Sequence, residues 1–152
     1  MSYVINAVEY LVLDGLPLAT PAWYTTEMSD LIGTAEVRGS DILVPFADGV
    51  RPQPRRPTVS QATVSLAVVG DTNPDGSAHA SVRDGLRANC KALAWLASRN
   101  GVDAAGTRLA ELHLDGETRV GRVHILRLRF ARESAGYATG QLELSIPAGA
   151  LL

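Results

Sequence analysis

Residues 79–100 are the one stretch of this sequence with the spacing of a helix. Apolar residues recur in it three and four positions apart, so on a helix they share one face. These residues are Val82, Leu86, Cys90, Leu93, Leu96 and Ala97, and the opposite face carries Arg83, Arg87, Lys91 and Ser98. Ser81 followed by Asp84 is typical of a helix start, and Asn100-Gly101 is typical of a helix end. We predict one helix over residues 82–98 that buries its apolar face.

The segments on both sides of this helix have the alternation and composition of β-strands. The clearest are residues 58–69, 118–130 and 137–146, and weaker ones are residues 3–14, 23–26, 36–44 and 107–114. Asp115-Gly116 predicts a hairpin turn between two of them. The predicted inward rows include Leu126, Leu128 and Phe130 in one strand and Leu142, Leu144 and Ile146 in another. A lone helix between strand-rich halves predicts a mainly β fold, a sandwich or barrel with the helix packed on one side.

Composition and charge narrow the class of protein. No repeat, low-complexity tract or linker divides the sequence, so we predict a single domain over residues 1–152. A formal net charge of −2 does not favour nucleic acid as the main partner. Cys90 is the only cysteine, which excludes an intrachain disulfide and favours a core position. No apolar run is long enough to span a bilayer and the start lacks a signal-peptide pattern, so we expect a soluble protein made in a cytoplasm-like setting.

Motifs for catalysis are missing from the sequence. His79, His113 and His124 do not have the spacing of zinc or iron ligands. The sequence contains no serine-hydrolase elbow, phosphate loop or dinucleotide fingerprint. We therefore predict a protein that is not an enzyme and has no cofactor.

One segment has part of a calcium-loop pattern. Residues 71–76 read Asp-Thr-Asn-Pro-Asp-Gly, with oxygen-bearing side chains at alternate positions and glycine at the sixth. The twelfth position, which should be a bidentate glutamate, is Val82. The same residue types are those that a sharp turn between a strand and a helix requires. Both interpretations stay open at this point, and the turn is the one that we favour.

Residues 46–57 predict a surface excursion, because Asp48-Gly49 favours a turn and three prolines deny backbone donors to a sheet. Arg51, Arg55 and Arg56 form a basic cluster among these prolines. The segment is either a solvated extended loop or a stiff arm that docks on an acidic surface of a neighbouring subunit. A proline-rich ligand is a third, weaker interpretation.

Several segments together resemble the distal tail proteins and related minor tail proteins of siphoviruses, most of all those of phages that infect actinobacteria. They are residues 3–8 (YVINAV), 35–49 (AEVRGSDILVPFADG), 59–69, 83–97 and 142–147 (LELSIP). In the second of these, an Arg-Gly run leads to a Val-Pro strand and an Asp-Gly turn. The resemblance follows the order of strand, turn and helix over nearly the whole chain.

The resemblance implies a β-sandwich or split-barrel domain of the tail-tube type, with one helix on its side. Copies of such a domain would form a ring, commonly a hexamer, that continues the tail channel, and genome DNA would pass through without specific binding. The implied partners are other tail proteins, namely the tube, tape-measure and tail-tip proteins. The implied location is the virion, after assembly in the host cytoplasm and without a membrane. The family has no catalytic residues to carry over.

A ring subunit needs apolar side chains that its own core does not bury. The residues we predict for the subunit interface are Trp95, Trp23, Tyr24, Arg51, Arg55, Arg56, Leu151 and Leu152. Trp95 is the strongest of them, because it projects from the polar side of the predicted helix. The alternative is a small monomeric β-sandwich module that binds carbohydrate or peptide, with Trp23, Tyr24 and Trp95 lining its site.

Overall fold

A computed structural model describes most of the chain. The described residues are 3–32, 37–38, 42–43, 50–51, 56–57, 60–98, 102–103, 105–148 and 150–152, and between 37 and 57 only the backbone pairing is described. The strands are β1 Tyr10–Leu13, β2 Leu16–Pro17, β3 Trp23–Glu27, β4 Val37–Arg38, β5 Ile42–Leu43, β6 Val50–Arg51, β7 Arg56–Pro57, β8 Ser60–Val69, β9 Arg108–Leu114, β10 Glu117–Ser134 and β11 Tyr137–Ile146. Helix α1 spans Val82–Ala94 and continues into a 3₁₀ turn, Trp95–Ala97.

Seven strands form one antiparallel sheet in the order β2-β1-β9-β10-β11-β8-β3. The 18-residue strand β10 belongs to both halves of it: Glu117–Val123 pairs with β9, and the part from His124 onward pairs with β11. A register shift between Ile125 and Arg127 lies next to this change of partner. A bulge of this kind bends a strand and increases its twist. The sheet is accordingly curled into a half-barrel, and the mainly β fold with one helix is confirmed.

One backbone segment joins the two ends of this curled sheet. The Leu18 N–H donates to the Leu11 carbonyl of β1 (2.8 Å), and the Leu18 carbonyl accepts from the Thr25 N–H of β3 (3.2 Å). Leu18 itself is fully buried. The half-barrel is therefore bridged through Leu18, and this brings β1 and β3 to opposite sides of the same residue.

The inward rows of the long strands follow the predicted period of two. β8 buries Ala62, Val64, Leu66 and Val68, and β11 buries Ala138, Leu142, Leu144 and Ile146. The hairpin at Asp115-Gly116 is also as predicted, with Gly116 at φ +77°. Leu126 is an exception: it is 52% exposed, because the bulge removes it from the alternation. The prediction that it faces inward is wrong.

Helix α1 begins where the sequence predicts but ends earlier. Ser81 is the N-cap, and its Oγ accepts from the Asp84 N–H (3.4 Å). Leu86 and Leu93 are buried, as predicted, and Asn89 and Leu96 are buried beside them. Val82 and Ala97 are exposed, so their predicted burial is wrong, and Cys90 packs against the core but is only half-buried. The helix gives way to a 3₁₀ turn at Trp95, and the proposed stop at residues 100–101 lies outside the described residues.

Two glycines set how closely α1 approaches the sheet. A Cβ on Gly70 would lie 2.1 Å from the Val82 carbonyl oxygen, and a Cβ on Gly85 would lie 2.0 Å from the Gly70 carbonyl oxygen. The Asn89 amide adds a direct tie, since its Nδ2 donates to the Val69 and Thr72 carbonyls at 2.7 and 3.0 Å. The start of the helix therefore rests on the end of β8 at backbone contact distance.

Gly85→Ala is expected to destabilise the fold, although alanine is the better helix former by about 1 kcal/mol. The added Cβ meets backbone oxygen rather than a mobile side chain, so α1 has to shift, and overpacking of this kind costs about 1–3 kcal/mol. Urea unfolding measures the change. Ala88→Gly, at an exposed position on the same helix, calibrates propensity alone. A gain in stability for Gly85→Ala would show that the helix is not held at this distance.

Two other strand predictions change in the structure. Residues 3–8 are not a strand; β1 begins at Tyr10, and the Val4 N–H donates instead to the Pro74 carbonyl (2.9 Å). Residues 36–44 and 46–57 contain the short strands β4 to β7, which pair β4 with β7 and β5 with β6 outside the main sheet.

Candidate functional site

A buried arginine organises the surface around Trp95. Arg108, the first residue of β9, is fully buried, and its Nη1 donates to Asp14 Oδ2 (3.0 Å). Its other N–H groups donate to the carbonyls of Leu96 (3.0 Å), Trp95 (3.2 Å) and Ser98 (2.9 Å). Those carbonyls lie at the end of α1 and its 3₁₀ turn, where a helix lacks internal donors. Arg108 thus caps the helix and ties it to the end of β1.

Trp95 packs on this arginine. The Arg108 guanidinium carbon lies 4.4 Å from the centroid of the Trp95 ring, which is a cation–π geometry. The Trp95 side chain keeps 37% of its surface exposed. It also lines a surface hollow of about 280 Å³ together with Tyr3, Asp14, Gly15, Leu16 and Ala92. A large aromatic side chain is therefore held in a fixed orientation while part of it faces solvent.

A second polar cluster lies beside Arg108. The Thr107 Oγ1–H and N–H donate to the two Asp103 carboxylate oxygens at 2.6 and 2.8 Å, and Arg122 Nη2 donates to the same carboxylate (2.8 Å). The bonds from Thr107, followed by the charge of Arg122, lower the pKa of Asp103 to about 2. With Arg108 and Gly106, Asp103 lines a hollow of about 450 Å³.

We expect this carboxylate to give the fold a dependence on acid pH. The folded pKa of Asp103, about 2, lies below its ordinary value of 3.8, so its stabilising effect is present above pH 3.8 and is lost as the pH falls toward 2. Asp103→Asn should flatten the loss of stability in this window, measured by urea unfolding at each pH. Thr107→Val removes a donor and should move the loss to higher pH. Identical pH profiles for all three proteins would contradict this assignment.

The outward-facing side of β8, β10 and β11 is polar and contains a hollow of about 610 Å³. Its polar lining residues are Thr26, Ser65, Arg129, Tyr137, Thr139 and Gln141. Arg127 and Arg129 point their Nη2 atoms at Glu143 Oε1, at 3.1 and 3.6 Å. The hydrogen bond from Arg127, with the charges of both arginines, lowers the pKa of Glu143. One carboxylate therefore offsets half of the positive charge of these two arginines.

Two of the predicted interface residues belong to the core instead. Trp23 is fully buried, and its Nε1–H donates to the Pro17 carbonyl (2.9 Å). Leu151 is 1% exposed and packs so closely on Gly121 that a Cβ there would lie 2.7 Å from its Cδ2. The expectation that these residues have no place in their own core is wrong, because Leu16–Pro17 and the first half of β10 cover them.

The other predicted residues are more exposed or lie outside the described side chains. Tyr24 is 39% and Leu152 is 88% exposed. The Leu152 backbone pairs with Val120 in both directions, at 2.8 and 3.3 Å, along the first half of β10. Arg51 and Arg56 lie in β6 and β7, but their side chains, and the whole of Arg55, are outside the described residues. Tyr3 is the link between the aromatic residues, since it lines the Trp95 hollow and meets the Trp23 ring at 6.2 Å.

The calcium-like segment forms a turn with its own internal hydrogen bonds. Asp75 Oδ1 accepts from both the N–H and the Oγ–H of Ser77, which lowers the pKa of Asp75, and Gly76 adopts φ +90°. Among the residues that the structure describes, no group of three or more histidine, cysteine, aspartate or glutamate side chains could hold a metal ion.

In the same residues, no helix combines the length and the hydropathy that a bilayer crossing needs.

Sequence reasoning missed Arg108 and Asp14. One signal was present: Arg108 occupies the inward row of β9, in register with Ala110 and Leu112, where a charge requires a partner. Asp14 was assigned only to a turn, and its φ of +49° agrees with that role. Nothing in the local sequence shows that the two residues, far apart in the chain, would meet.

The fold is similar to that of the Dit protein of phage SPP1. The two structures superpose with a TM-score of 0.60 at 15% sequence identity, over 94% of this chain and 51% of the other. The solved structure is described as a paradigm of the hub adsorption apparatus in phages that infect Gram-positive bacteria. This chain therefore spans about half the length of the Dit chain. No protein-family model matches the sequence, and no curated protein matches it significantly.

Proposed function

We propose that this chain is a non-enzymatic structural protein of a phage tail whose copies form a ring. The ring, a hexamer, would lie at the tail tip or within the tail tube, continue the DNA channel and anchor the tube, tape-measure or tail-tip proteins. Assembly would take place in the host cytoplasm, and the mature location would be the virion. The observation that carries this proposal is the fold similarity to the Dit hub protein over nearly the whole chain.

The distribution of apolar surface supports an assembling subunit. The Trp95 side chain is held by Arg108 and remains partly exposed, and Val8, Leu126 and Leu152 expose 74%, 52% and 88% of their surface. Aromatic side chains held in place at a surface are enriched at the centres of protein interfaces. Within the described residues, the outer edge of the first half of β10 pairs only with Leu152, so part of it is free to pair with a neighbouring copy.

The outward-facing side of β8, β10 and β11 is suited to a channel wall that does not hold DNA. Arg127 and Arg129 share Glu143, and the other polar side chains that line the hollow are hydroxyl and amide groups, beside the apolar Leu66, Phe130 and Ala131. A strongly basic wall would bind the phosphate backbone and slow the passage of DNA. Because Glu143 offsets part of the charge of Arg127 and Arg129, this face would bind the phosphate backbone weakly, and DNA could pass without specific binding.

The solution mass of the purified protein tests the ring. Sedimentation velocity over a range of concentrations, with two-dimensional class averages of the particles, should show a closed ring and its symmetry. A monomer at every concentration would contradict the proposal. If that monomer bound sugars or peptides, the alternative of a small binding module would be supported. Trp23 could not line its site, however, because Trp23 is fully buried.

Trp95→Ala is expected to weaken this assembly. The variant removes a partly exposed aromatic side chain, and at about 25 cal/mol per Å² the buried apolar area of an interface tryptophan is a large contribution. Because the Trp95 indole also packs on Arg108, the variant is expected to lose some monomer stability as well. Val68→Ala, at a fully buried site in β8, is the control for stability alone. If Trp95→Ala and Val68→Ala changed the sedimentation profile equally, Trp95 would not be an interface residue.

A further inference from the structure

A groove between α1 and the second half of β10 has an apolar floor and an arginine rim. Its volume is about 220 Å³, the floor is formed by Leu86, Cys90, Phe130 and Ala138, and the rim by Arg83, Arg87 and Arg132. We refer to it as the basic groove. It is smaller than the cavities that enclose whole small-molecule ligands, and its size suits a single apolar side chain.

Within the described residues, no ion pair offsets the charge of the rim. Arg83, Arg87 and Arg132 are exposed, and none of them lies within ion-pair distance of a carboxylate in the part of the chain that the structure describes. Arg132 Nε donates to the Ser134 carbonyl (3.1 Å). Lys91 extends the row by another turn of α1. This concentration of positive charge lies on a chain whose formal net charge is −2.

Helix stability does not account for these residues. Like charges four positions apart, as in Arg83, Arg87 and Lys91, destabilise a helix by a few tenths of a kcal/mol per pair. Arg83 lies in the first turn of α1, where the helix dipole disfavours a cation. Arg83 and Arg87 are therefore unfavourably placed in the free subunit, whereas Lys91 lies in the last turn, where the dipole favours a cation; negative charge brought to the rim would stabilise both arginines.

We propose that the basic groove binds an acidic segment of another protein. One apolar side chain of that segment occupies the floor against Phe130 and Cys90, and flanking carboxylates pair with the arginines of the rim. Charge complementarity selects the segment, and the apolar anchor fixes its register. This inference does not depend on the ring, since the groove lies within one copy of the chain.

A separate protein fits the groove better than a second copy of this chain. Many described carboxylates already accept hydrogen bonds within their own subunit. These are Asp14, Glu27, Asp30, Asp75, Asp103, Glu117 and Glu143. A contact between copies through these residues would compete with such bonds, while a segment from a different protein can bring carboxylates that have no such partners.

A labelled peptide tests the proposal directly. The probe is a fluorescein-tagged run of glutamates with one central phenylalanine, added to the full-length protein and followed by anisotropy. The double variant Arg83→Ala with Arg87→Ala should bind it about tenfold more weakly or worse. The control double variant Arg127→Ala with Arg129→Ala removes the same charge from the outward-facing side and should change binding less than about twofold. No binding to the unmodified protein, or equal losses in both variants, would overturn the proposal.

Cys90 gives a local readout, because it is the only cysteine in the sequence and lines the floor. Saturating peptide should slow alkylation of Cys90 by maleimide, and a peptide with alanine in place of phenylalanine should protect it less. An unchanged alkylation rate would place the peptide elsewhere and refute the assignment. Thermal melts of both double variants check that the fold is intact. If the Arg83/Arg87 variant instead loses self-association without peptide, the occupant is a second copy and the proposal fails.

Discussion

Arg108→Ala is expected to lower the free energy of unfolding by about 3–5 kcal/mol, the range for removing one partner of a buried ion pair. Arg108 is fully buried, and its removal leaves the Asp14 carboxylate without its cation and the Trp95, Leu96 and Ser98 carbonyls without these donors. Urea unfolding followed by far-ultraviolet circular dichroism measures the loss. Because the arginine joins the end of α1 to β1 and β9, the transition should remain cooperative while its midpoint falls.

Two variants give this prediction its controls. Arg127→Ala removes an arginine that is also paired with a carboxylate, but its side chain is 52% exposed, so it should change stability little. Arg108→Lys keeps the charge but cannot reach Asp14 and the three carbonyls at once, so it should fall between the native protein and Arg108→Ala. A loss for Arg108→Ala no larger than that for Arg127→Ala would show that the buried cluster does not hold the fold.

Trp23→Ala is expected to cost about 3–5 kcal/mol of stability, the range for truncating a buried aromatic side chain. The indole is fully buried, contacts Tyr3 edge-on and donates Nε1–H to the Pro17 carbonyl, so the truncation leaves both a cavity and an unpaired acceptor. This is a change in folding, in contrast to Trp95→Ala, which is expected to act mainly on assembly. Chemical denaturation of the monomer measures the difference between the two tryptophans.

Tyr24→Ala is the matched control for Trp23, since Tyr24 is the next residue of β3 and is 39% exposed. It should lose much less stability than Trp23→Ala, because most surface substitutions change the free energy of unfolding by about half a kcal/mol. Similar losses at the two positions would mean that β3 is packed more evenly than its pattern of burial indicates.

The sequence alone determined the helix and strands that are long enough to show a clear hydrophobic period. The burial of Leu86 and Leu93 followed from a period of 3.6, and that of Val64, Leu66, Leu142 and Leu144 from a period of two. Ser81 marked the start of α1, and Asp115-Gly116 marked the β9–β10 turn. These are local signals, in which each residue is interpreted from neighbours a few positions away.

Only the tertiary structure decided the residues that depend on contacts between distant segments. Leu126 lost its inward position to the bulge at which β10 changes partner, and Cys90 is only half-buried because it lines the basic groove. Trp23 became a core residue because Leu18 bridges β1 and β3 beside it. Arg108 and Asp14 came together because β1 pairs with β9 in the curled sheet. The physical reason is that burial and ion pairing depend on what covers a side chain, and here the cover comes from segments that no local period relates.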